Sequence, residues 1–487
     1  MLYIVQTNLH GAAVDMKKFS GSPARRAKAI IVLILILPAM LIFPGLSAGA
    51  ATPFRDLVAT AALLAEADSG AVLFERNIDR RHPADSLAKI MTLLLAATAC
   101  TEYVADQGAY VEMTESAWEG IGANSTTLGI QPGEEMPLID LMYCAYIGGA
   151  AEACNLIAEY ISGSVESFVE AMNARAISIG CRNTNFANTH GQYSTRQYTT
   201  ASDMFYIFRE AISNPLFTEI NASYRYTVES TNMSESRNLI SSNSLLNANG
   251  KYYYAPCTSG LASATFEGGY SFVAFAEAGE LSLISVVLGS DIIETEDESY
   301  QMRNLTESRR LFEWGFAEFG WRTILSSGDL IAKAPVQDGD GADFVNLHPE
   351  SSIVLLIDND IPLEQFKKNI IIYSVENDEP LIAPVSAGDV LGEVTLTRDG
   401  VTYGPVLLVA NTDVGLNRLV FIKIQLMDVI TGKTARIVLG SLAALVAIYV
   451  ALVIRYNVIK YRRKRRIRAA KRKLAEERRT GYREPPD

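Results

Sequence analysis

One apolar run near the end of the chain constrains its fold more than any other feature. Residues 437–454, IVLGSLAALVAIYVALVI, are 18 uncharged and mostly apolar positions. A run of this length is close to the minimum that crosses the hydrocarbon core of a bilayer as a helix. The sequence therefore predicts a C-terminal transmembrane helix at 437–454, with the rest of the chain divided between the two sides of a membrane.

A strongly basic segment follows the apolar run directly. Residues 455–487 contain 14 Lys and Arg and 4 Asp and Glu, a net charge of +10, so the −12 of the whole chain leaves −22 for residues 1–454. Basic flanks of membrane helices stay in the cytoplasm, so we expect a cytoplasmic tail at 455–487 and an acidic bulk outside. Basic runs also bind nucleic acid. The adjoining span favours anionic lipid head groups as the partner of this tail, and no nucleic acid.

A second apolar run lies near the N-terminus. Basic residues at 25–28 precede AIIVLILILPAMLIFPGL at 29–46, and small residues follow up to Ala50. A charged flank, an apolar run and a small-residue cleavage site are typical of a secretory signal peptide. We therefore expect residues 1–50 to be a signal peptide cut after Ala50. A retained membrane anchor is the alternative, and Met16 is an alternative start.

Between the two apolar runs the sequence pattern changes once. Residues 52–325 mix alternating apolar strands with Ala- and Leu-rich helical segments, which predicts an α+β domain. Residues 326–425 consist of short β-branched runs cut by turns, such as SIVLLID and NIIIYSV, which predicts a small all-β domain. Within the α+β domain we expect a hairpin at 57–77, a buried helix from Ser86, further helices at 152–164, 166–180 and 306–320, and two strands within 270–289.

Cysteine and histidine usage argues against a disulfide framework and a metal centre. The chain has five Cys and four His, and no C-x-x-C pair occurs. An odd number of cysteines in so long a chain is typical of small buried hydrophobic residues. No His lies near a Cys at the spacing of zinc ligands, so we expect no metal and no cofactor.

Two residues in the segment HPADSLAKIMT are candidates for chemistry. Ser86 and Lys89 are three positions apart, which puts both side chains on one face of a helix. A serine hydroxyl needs a base within hydrogen-bond reach to become a nucleophile. Burial and neighbouring cations lower the pKa of a lysine, which allows it to take the proton. The pair alone also fits a helix start with a solvated lysine, so the choice depends on the rest of the chain.

The order of the segments resembles that of the D-alanyl-D-alanine carboxypeptidases of the low-molecular-weight penicillin-binding proteins, the S11 serine peptidases. HPADSLAKIMT is similar to the family's nucleophile segment, usually P-A-S-x-T-K-x-M-T. The runs AEYISGSVESFVEAMNARAISIGCRNTNFANTHG, YTTASDM and APVSAGDVLGEVTL are similar to later family segments in the same order. The resemblance implies a DD-peptidase/β-lactamase-like α+β domain, an antiparallel sheet flanked by helices, followed by a small all-β domain.

The resemblance makes Ser86 the catalytic nucleophile and Lys89 its base. The family's second motif, S-x-N, supplies a hydroxyl that relays protons and an amide that holds the lysine and the substrate. In this chain that motif falls on Gly149-Ala150-Ala151, so both the hydroxyl at Gly149 and the amide at Ala151 are missing. Ser241-Ser242-Asn243 has the right letters, but it lies in a segment that resembles a different part of the family.

The third family motif, K-T-G, grips the substrate carboxylate with a cation and a hydroxyl. In this chain it falls on Thr258-Ser259-Gly260. Ser259 can replace the threonine hydroxyl and Gly260 keeps the close backbone approach, but Thr258 carries no charge. We therefore expect Thr258, Ser259 and Gly260 to bind substrate without the cation.

Three further residues lie where the family has polar groups. His190 is in a similar His-Gly loop, and we interpret it as structural. Glu152 follows the degenerate second motif, and a first-turn helix charge is the favoured interpretation. Arg303 lies near a family arginine, where it would attract a terminal carboxylate, and a solvated surface arginine is the alternative.

The residues and the resemblance together lead to two functional interpretations. The first is a serine D-Ala-D-Ala carboxypeptidase-like protein of the bacterial cell membrane, anchored by a single span. It would act through a Ser86 acyl-enzyme on peptidoglycan stem peptides ending in D-Ala-D-Ala, would bind β-lactams, and would have reduced efficiency because preorganised polar groups are missing. The alternative is an inactive relative that serves as a cell-wall binding or scaffolding protein.

Overall fold

The computed structural model of this protein describes residues 54–102, 104–294 and 300–480. The predicted signal peptide at 1–50 lies outside the described residues. The chain forms two compact units. The first contains the residues up to Ser326 together with Ser352–Lys367, and the second contains Ser327–Ser351 and the residues from Lys368 onward. The segment 352–367 therefore packs with the first unit, although it follows the 325/326 boundary suggested by the sequence.

A five-stranded antiparallel sheet is the centre of the first unit. Its strands are β1 (Ala61–Glu66), β2 (Val72–Arg76), β9 (Cys257–Thr265), β10 (Gly269–Ala278) and β11 (Leu281–Ser290). Their spatial order is β2-β1-β11-β10-β9, so β9 is an edge strand. The turn between β1 and β2 lies at Asp68-Ser69-Gly70, within the hairpin predicted at 57–77, and there Glu66 Oε2 accepts from the Ser69 N–H at 2.6 Å.

The other strands of the first unit are short and form two-stranded ribbons. They are β3 (His82–Pro83) with β6 (Tyr198–Thr199), β4 (Tyr110–Glu112) with β5 (Glu135–Pro137), β7 (Arg225–Val228) with β8 (Arg237–Ile240), β12 (Ile292–Glu294) with β13 (Tyr300–Met302), and β14 (Phe319–Leu325) with β17 (Ile353–Asp358). Ribbon β3–β6 pairs His82 with Thr199, and so ties the chain just before Ser86 to the loop after His190.

Helices cover both faces of the sheet. They are α1 (Ala88–Thr101), α2 (Leu138–Tyr146), α3 (Ala151–Ser162), α4 (Val165–Ser178), α5 (Ala201–Ile212), α6 (Pro215–Asn221) and α7 (Arg303–Glu318). Alternate residues of β1 enter different cores, Leu63 with the helices α1 to α6 and Leu64 with α7. Because successive side chains of a strand point to opposite faces, β1 is apolar on both sides.

The nucleophile segment enters the helical layer through a short turn. A 3₁₀ turn, Asp85–Leu87, leads directly into α1. Ten of the 14 residues of α1 are buried, including Lys89. The Ala-, Leu- and Met-rich composition of α1 is therefore that of a helix surrounded by core on nearly all sides.

The second unit is built on a six-stranded sheet. Its strands are β15 (Ala332–Gln337), β16 (Phe344–Pro349), β18 (Lys367–Ile372), β19 (Leu381–Ile382), β20 (Val390–Arg398) and β21 (Val401–Ala410), in the order β18-β20-β21-β16-β15-β19, with one helical turn, α8 (Tyr373–Glu376). The strands end at Ala410, and helix α9 (Arg418–Thr431) follows, so the last residues of the range 326–425 are helical.

The chain continues into a long apolar helix. Helix α10 (Lys433–Thr480) is 48 residues long. Within it, Arg436–Glu476 is long and apolar enough to cross a membrane, by length and composition. The helix extends beyond the predicted span at 437–454 into the basic segment, because Lys, Arg, Ala and Glu are good helix formers and no Pro or Gly occurs between residues 455 and 480.

Candidate active site

Ser86 and Lys89 are in contact. Ser86 lies in the 3₁₀ turn and Lys89 in the first turn of α1. The Lys89 Nζ lies 3.4 Å from the Ser86 Oγ, within the range of a weak hydrogen bond. The Ser86 side chain is half-buried, whereas Lys89 is only 6% exposed. The structure therefore brings the predicted nucleophile and its predicted base together.

Burial changes the acid–base behaviour of Lys89. Desolvation lowers the pKa of its amine below the ordinary value of 10.5, and the nearby Asp85 carboxylate opposes this effect. A lysine acts as a base only in its neutral form, and a lower pKa raises the neutral fraction at a given pH. The surroundings of Lys89 therefore favour proton abstraction from Ser86.

His190 lies on another side of Lys89. Its ring is 5% exposed, and burial together with the nearby Lys89 charge lowers its pKa to about 4. His190 is therefore neutral at pH 7. Buried side chains hold the loop that carries it: Thr92 Oγ1 donates to the Thr189 carbonyl at 2.6 Å, and Thr189 Oγ1 donates to Asn155 Oδ1 at 2.6 Å. Sequence reasoning missed Thr92, Thr189 and Asn155.

Gly191 packs against the backbone of the nucleophile turn. Its φ is +90°, a conformation that glycine adopts without strain. A Cβ at this position would lie 2.1 Å from the Asp85 carbonyl oxygen and 2.8 Å from the Ser86 Cα. The His-Gly loop can therefore approach Ser86 this closely only with glycine at 191.

Asp85 is a site residue that sequence reasoning missed. It has a φ of +45° and is 3% exposed. Its Oδ2 accepts from the Thr265 hydroxyl at 2.7 Å, and its Oδ1 has no hydrogen-bond partner among the described residues. Burial raises the pKa of this carboxyl. The sequence signal for Asp85 was that it is one extra residue. The family segment P-A-S has Ser directly after Ala, whereas here Asp85 lies between Ala84 and Ser86.

The degenerate second motif lies at the start of α3. Gly149 has a φ of +73°, and its missing Cβ would touch the Thr126 side chain at 3.4 Å. The Ala151 N–H donates to the Thr126 carbonyl at 2.9 Å. Ala151 lies one turn before Cys154, whose thiol lies near Lys89. The predicted second-motif positions Gly149 and Ala151 therefore place no hydroxyl and no side-chain amide at this end of α3.

The three predicted substrate-binding residues of β9 are not in hydrogen-bond contact with Ser86. Thr258 is exposed, Ser259 is 1% exposed with no partner for its hydroxyl among the described residues, and the Gly260 N–H donates to Asn221 Oδ1 at 2.9 Å. The residue of β9 that reaches the nucleophile is Ser263, whose Oγ accepts from the Ser86 N–H at 3.2 Å. Ser263 lies about 13 Å along the strand from Ser259.

Other predicted positions form bonds with neighbouring backbone or charges. Glu152 Oε1 accepts from the Leu128 N–H at 2.7 Å, so this buried acid orders a loop. Arg303 lies 3.8 Å from Asp291 in an ion pair. In the segment 241–243, Asn243 Oδ1 accepts from the Leu245 N–H at 3.1 Å. These contacts favour structural roles for all three.

The cysteines of the described chain are free thiols, and Cys144, Cys154 and Cys257 are buried. Burial raises the pKa of the Cys154 thiol to about 12, so it is protonated at pH 7. Glu318 at the end of α7, Asp358 at the end of β17 and Asp360 just after it bring carboxylate oxygens within 4.8 Å of one another. That group belongs to a different part of the unit from the Ser86 turn.

Two family models match the chain. The model for D-alanyl-D-alanine carboxypeptidase, Peptidase_S11, matches residues 47–292, and the model for the C-terminal domain of penicillin-binding protein 5 matches residues 319–415. The chain is 28% identical to D-alanyl-D-alanine carboxypeptidase DacF of Bacillus subtilis over 344 residues, 70% of this chain and 82% of the relative. It is also 28% identical to DacA of Escherichia coli K12 over 344 residues, 70% of this chain and 79% of the relative.

Solved structures show the same relationship. Penicillin-binding protein 5 of Haemophilus influenzae matches with a TM-score of 0.55 and 28% identity, covering 75% of this chain and all of the other. Penicillin-binding protein 6B of Escherichia coli has the same fold, with a TM-score of 0.54 and 20% identity over 72% of this chain. These matches confirm the predicted fold class and the resemblance. This chain belongs to the D-alanyl-D-alanine carboxypeptidase family of low-molecular-weight penicillin-binding proteins.

Proposed function

We propose that this protein is a membrane-anchored serine acyltransferring enzyme that cleaves the terminal D-alanine from peptidoglycan stem peptides through a Ser86 acyl-enzyme, at a low rate. The observation that carries the proposal is the 3.4 Å contact between the Ser86 hydroxyl and the buried Lys89 amine. A serine with a desolvated base in reach is the minimum arrangement for nucleophilic attack on an amide. Family membership supports the D-Ala-D-Ala terminus and β-lactams as the ligands.

The chemistry requires one proton to move twice. Neutral Lys89 takes the proton of the Ser86 hydroxyl as Oγ attacks the carbonyl carbon of the penultimate D-alanine. The C–N bond then breaks, and the proton of the Lys89 ammonium goes to the leaving amine of the last D-alanine. Water attacks the Ser86 ester, which returns the free hydroxyl and releases the shortened peptide. With a β-lactam the ring C–N bond opens, and the amine stays attached to the acyl group.

Missing groups argue for a low rate. The second-motif positions Gly149 and Ala151 supply neither a hydroxyl nor an amide for the transferred proton. The described residues nearest Ser86 on β9 supply no cation for the substrate carboxylate, since Ser263 and Thr265 are the ones that contact the nucleophile turn. Loss of one preorganised donor typically costs about 10²–10³ in rate, and losses within one unit do not multiply.

Anchoring and topology complete the proposal. The long apolar helix α10 is an anchor of the right length, and the +10 tail after it favours a cytoplasmic end. The two folded units would then lie outside, where the stem peptides are. The basic residues nearest the apolar run would contact anionic lipid head groups.

A second candidate function is a non-enzymatic cell-wall binding or scaffolding protein. The loss of both auxiliary motifs around an intact fold favours it. In that case stem peptides would bind without cleavage, and Ser86 would be dispensable for binding.

Release of D-alanine separates the two candidates. Full-length protein in detergent is incubated with an acetylated tripeptide ending in D-Ala-D-Ala, and free D-alanine is measured with D-amino-acid oxidase. Slow release that is abolished by Ser86→Ala and raised by Gly149→Ser with Ala151→Asn supports the enzyme. Release that is absent from the wild type and from the restored variant, with binding retained in Ser86→Ala, supports the scaffold.

A further inference from the structure

The backbone N–H of the nucleophile residue already has an acceptor. Ser86 N–H donates to Ser263 Oγ at 3.2 Å, and Ser263 is 3% exposed. When a serine attacks a carbonyl, negative charge develops on the carbonyl oxygen, and the N–H of the serine itself is a natural donor to that oxygen. In this protein that N–H is directed at a side-chain hydroxyl instead.

A second backbone donor lies beside the first. The Gly260 N–H donates to Asn221 and the Ala262 N–H donates to Ser242 Oγ at 3.1 Å, so both point out from the free edge of β9. Backbone groups of a strand alternate in direction with a repeat of two residues. The Ala264 N–H therefore points out from the same edge, one residue beyond Ser263, whose Oγ contacts the Ser86 N–H.

We propose that Ser263 is an inhibitory positioning residue, whose hydroxyl occupies the place of the substrate carbonyl oxygen at the Ser86 N–H and thereby slows acylation of Ser86. The inference rests on the proposed function, since it concerns the same nucleophile. Substrate must displace the Ser263 hydroxyl before both donors, Ser86 N–H and Ala264 N–H, can stabilise the charge. The hydroxyl adds one hydrogen bond to be broken in the ground state, and a neutral bond of this kind corresponds to about three- to tenfold in rate.

The opposite effect is expected if Ser263 assists the reaction. A hydroxyl that donates to the substrate would be needed for the acylation, and its removal would lower the rate. A hydroxyl that only completes the packing of β9 on the Ser86 turn would change the stability and leave the rate constant of the chemical step unaltered. The sign of the change therefore separates inhibition from assistance and from a structural role.

Acylation by a fluorescent penicillin measures that sign. Full-length wild type, Ser263→Ala and Ser263→Gly are mixed with a concentration series of the probe, and the limiting acylation rate constant is separated from the binding constant. Both variants lack the hydroxyl, so the limiting rate constant should rise about three- to tenfold. Thermal unfolding of each protein identifies a variant that does not fold, and the other then decides.

Ser271→Ala is the matched control. Ser271 is opposite Ser263 on β10, is equally buried at 3% exposure, and its Oγ accepts from the Gly289 N–H at 3.1 Å. The Ser271→Ala variant loses the same kind of backbone-to-hydroxyl hydrogen bond at a place away from Ser86. Its acylation rate constant should therefore equal that of the wild type. A folded Ser263 variant whose acylation rate constant is unchanged or lower overturns the inference. If the wild type is labelled in the same experiment, the proposed function still stands. If the Ser263 variants are labelled and the wild type is not, the result supports the inference and counts against activity of the native chain.

Discussion

The Lys89 amine and the Ser86 hydroxyl lie 3.4 Å apart, whereas the predicted second- and third-motif positions carry neither the family's amide nor its cation. Ser86 lies in the 3₁₀ turn and Lys89 in the first turn of α1, so the local backbone brings the two side chains together. The core surrounds α1 and holds both turns in place. The predicted second- and third-motif positions lie on other elements, near the start of α3 and on β9, and carry other residues than the family motifs. The proposed acylating pair is thus local in the sequence, whereas the groups proposed to accelerate it are not.

Removal of the base should stop acylation. Lys89→Arg keeps a positive charge, but the guanidinium cannot release its proton at ordinary pH and so cannot act as a base. Lys89→Met removes the charge. Both should lower the rate constant for acylation by about 10²–10⁴, the usual contribution of a general base. Labelling with a fluorescent penicillin, quenched at a series of times, measures the acylation rate constant. As the control, the Arg variant should retain the melting temperature of the wild type. A Lys89→Arg protein that is labelled at the wild-type rate contradicts the role of Lys89.

The pH dependence of acylation reports the pKa of Lys89. Its folded pKa lies below 10.5 because of burial, and the neutral amine is the active form. The acylation rate should therefore rise with pH along a limb whose midpoint is lower than that of an ordinary lysine. Rate constants measured between pH 5 and 10 locate the midpoint. A rate that follows the titration of an unperturbed lysine would show that Lys89 is not the desolvated base.

Gly191→Ala should disrupt the nucleophile turn. The new Cβ would lie 2.1 Å from the Asp85 carbonyl oxygen, so the turn or the loop must shift. We expect a loss of about 2–4 kcal/mol in the free energy of unfolding and at least tenfold in acylation. Gly163→Ala is the matched control, because Gly163 has a similar φ of +79° but nothing within 4 Å of its Cβ position. It should cost about 1 kcal/mol of backbone strain and leave acylation intact. Equal effects of the two variants would contradict the close approach of Gly191 to Ser86.

His190 should make the protein less stable in acid. Its pKa of about 4 in the folded state lies below the ordinary 6.5, so between these values the unfolded chain binds more protons. The free energy of unfolding should then fall as the pH is lowered from 6.5 to 4, by at most about 3 kcal/mol from this group. His190→Gln removes the titration, so the difference between variant and wild type should shrink over the same range. Denaturant unfolding at several pH values measures it, and parallel curves would contradict a buried neutral His190.

The tail should be protected in intact cells. An epitope tag placed after Asp487 is expected on the cytoplasmic side, since the +10 segment 455–487 follows the apolar run. External protease should remove the folded units and leave a tagged fragment of the size of the span and tail. Permeabilised cells, in which the tag should be digested, provide the control. Digestion of the tag in intact cells would reverse the proposed topology.

Much of the fold could be predicted from local pattern. Alternation predicts the strands β10 and β11, a D-S-G turn predicts the hairpin of β1 and β2, and glycines at 163 and 180 predict helix ends. The contact partners of β9 could not be predicted in this way. Its register with β10 is continuous from Ser259 to Thr265, and the turn that carries Ser86 meets this stretch at Ser263, four positions beyond Ser259, through a contact that spans 177 positions of the chain.

The chemistry of Asp85 and Ser263 depends on packing between distant segments. Asp85, which has a positive φ, accepts a hydrogen bond from Thr265, 180 positions later, and Ser263 contacts Ser86 across 177 positions. A single sequence carries no signal for such contacts except the extra residue before Ser86. The pair Ser86 and Lys89 could be identified because both lie in one turn, and the lowered pKa of Lys89 could be expected only from its apolar neighbours.

Mass measurement of the penicillin-treated protein tests the central claim most directly. Full-length protein is incubated with benzylpenicillin, and its intact mass is compared with that of Ser86→Ala treated in the same way. We predict a mass increase equal to one benzylpenicillin in the wild type, located by peptide mapping to the segment that contains Ser86, and none in the variant. An unmodified wild type after prolonged incubation, or an adduct that persists in Ser86→Ala, would contradict the assignment of Ser86 as the acylated nucleophile.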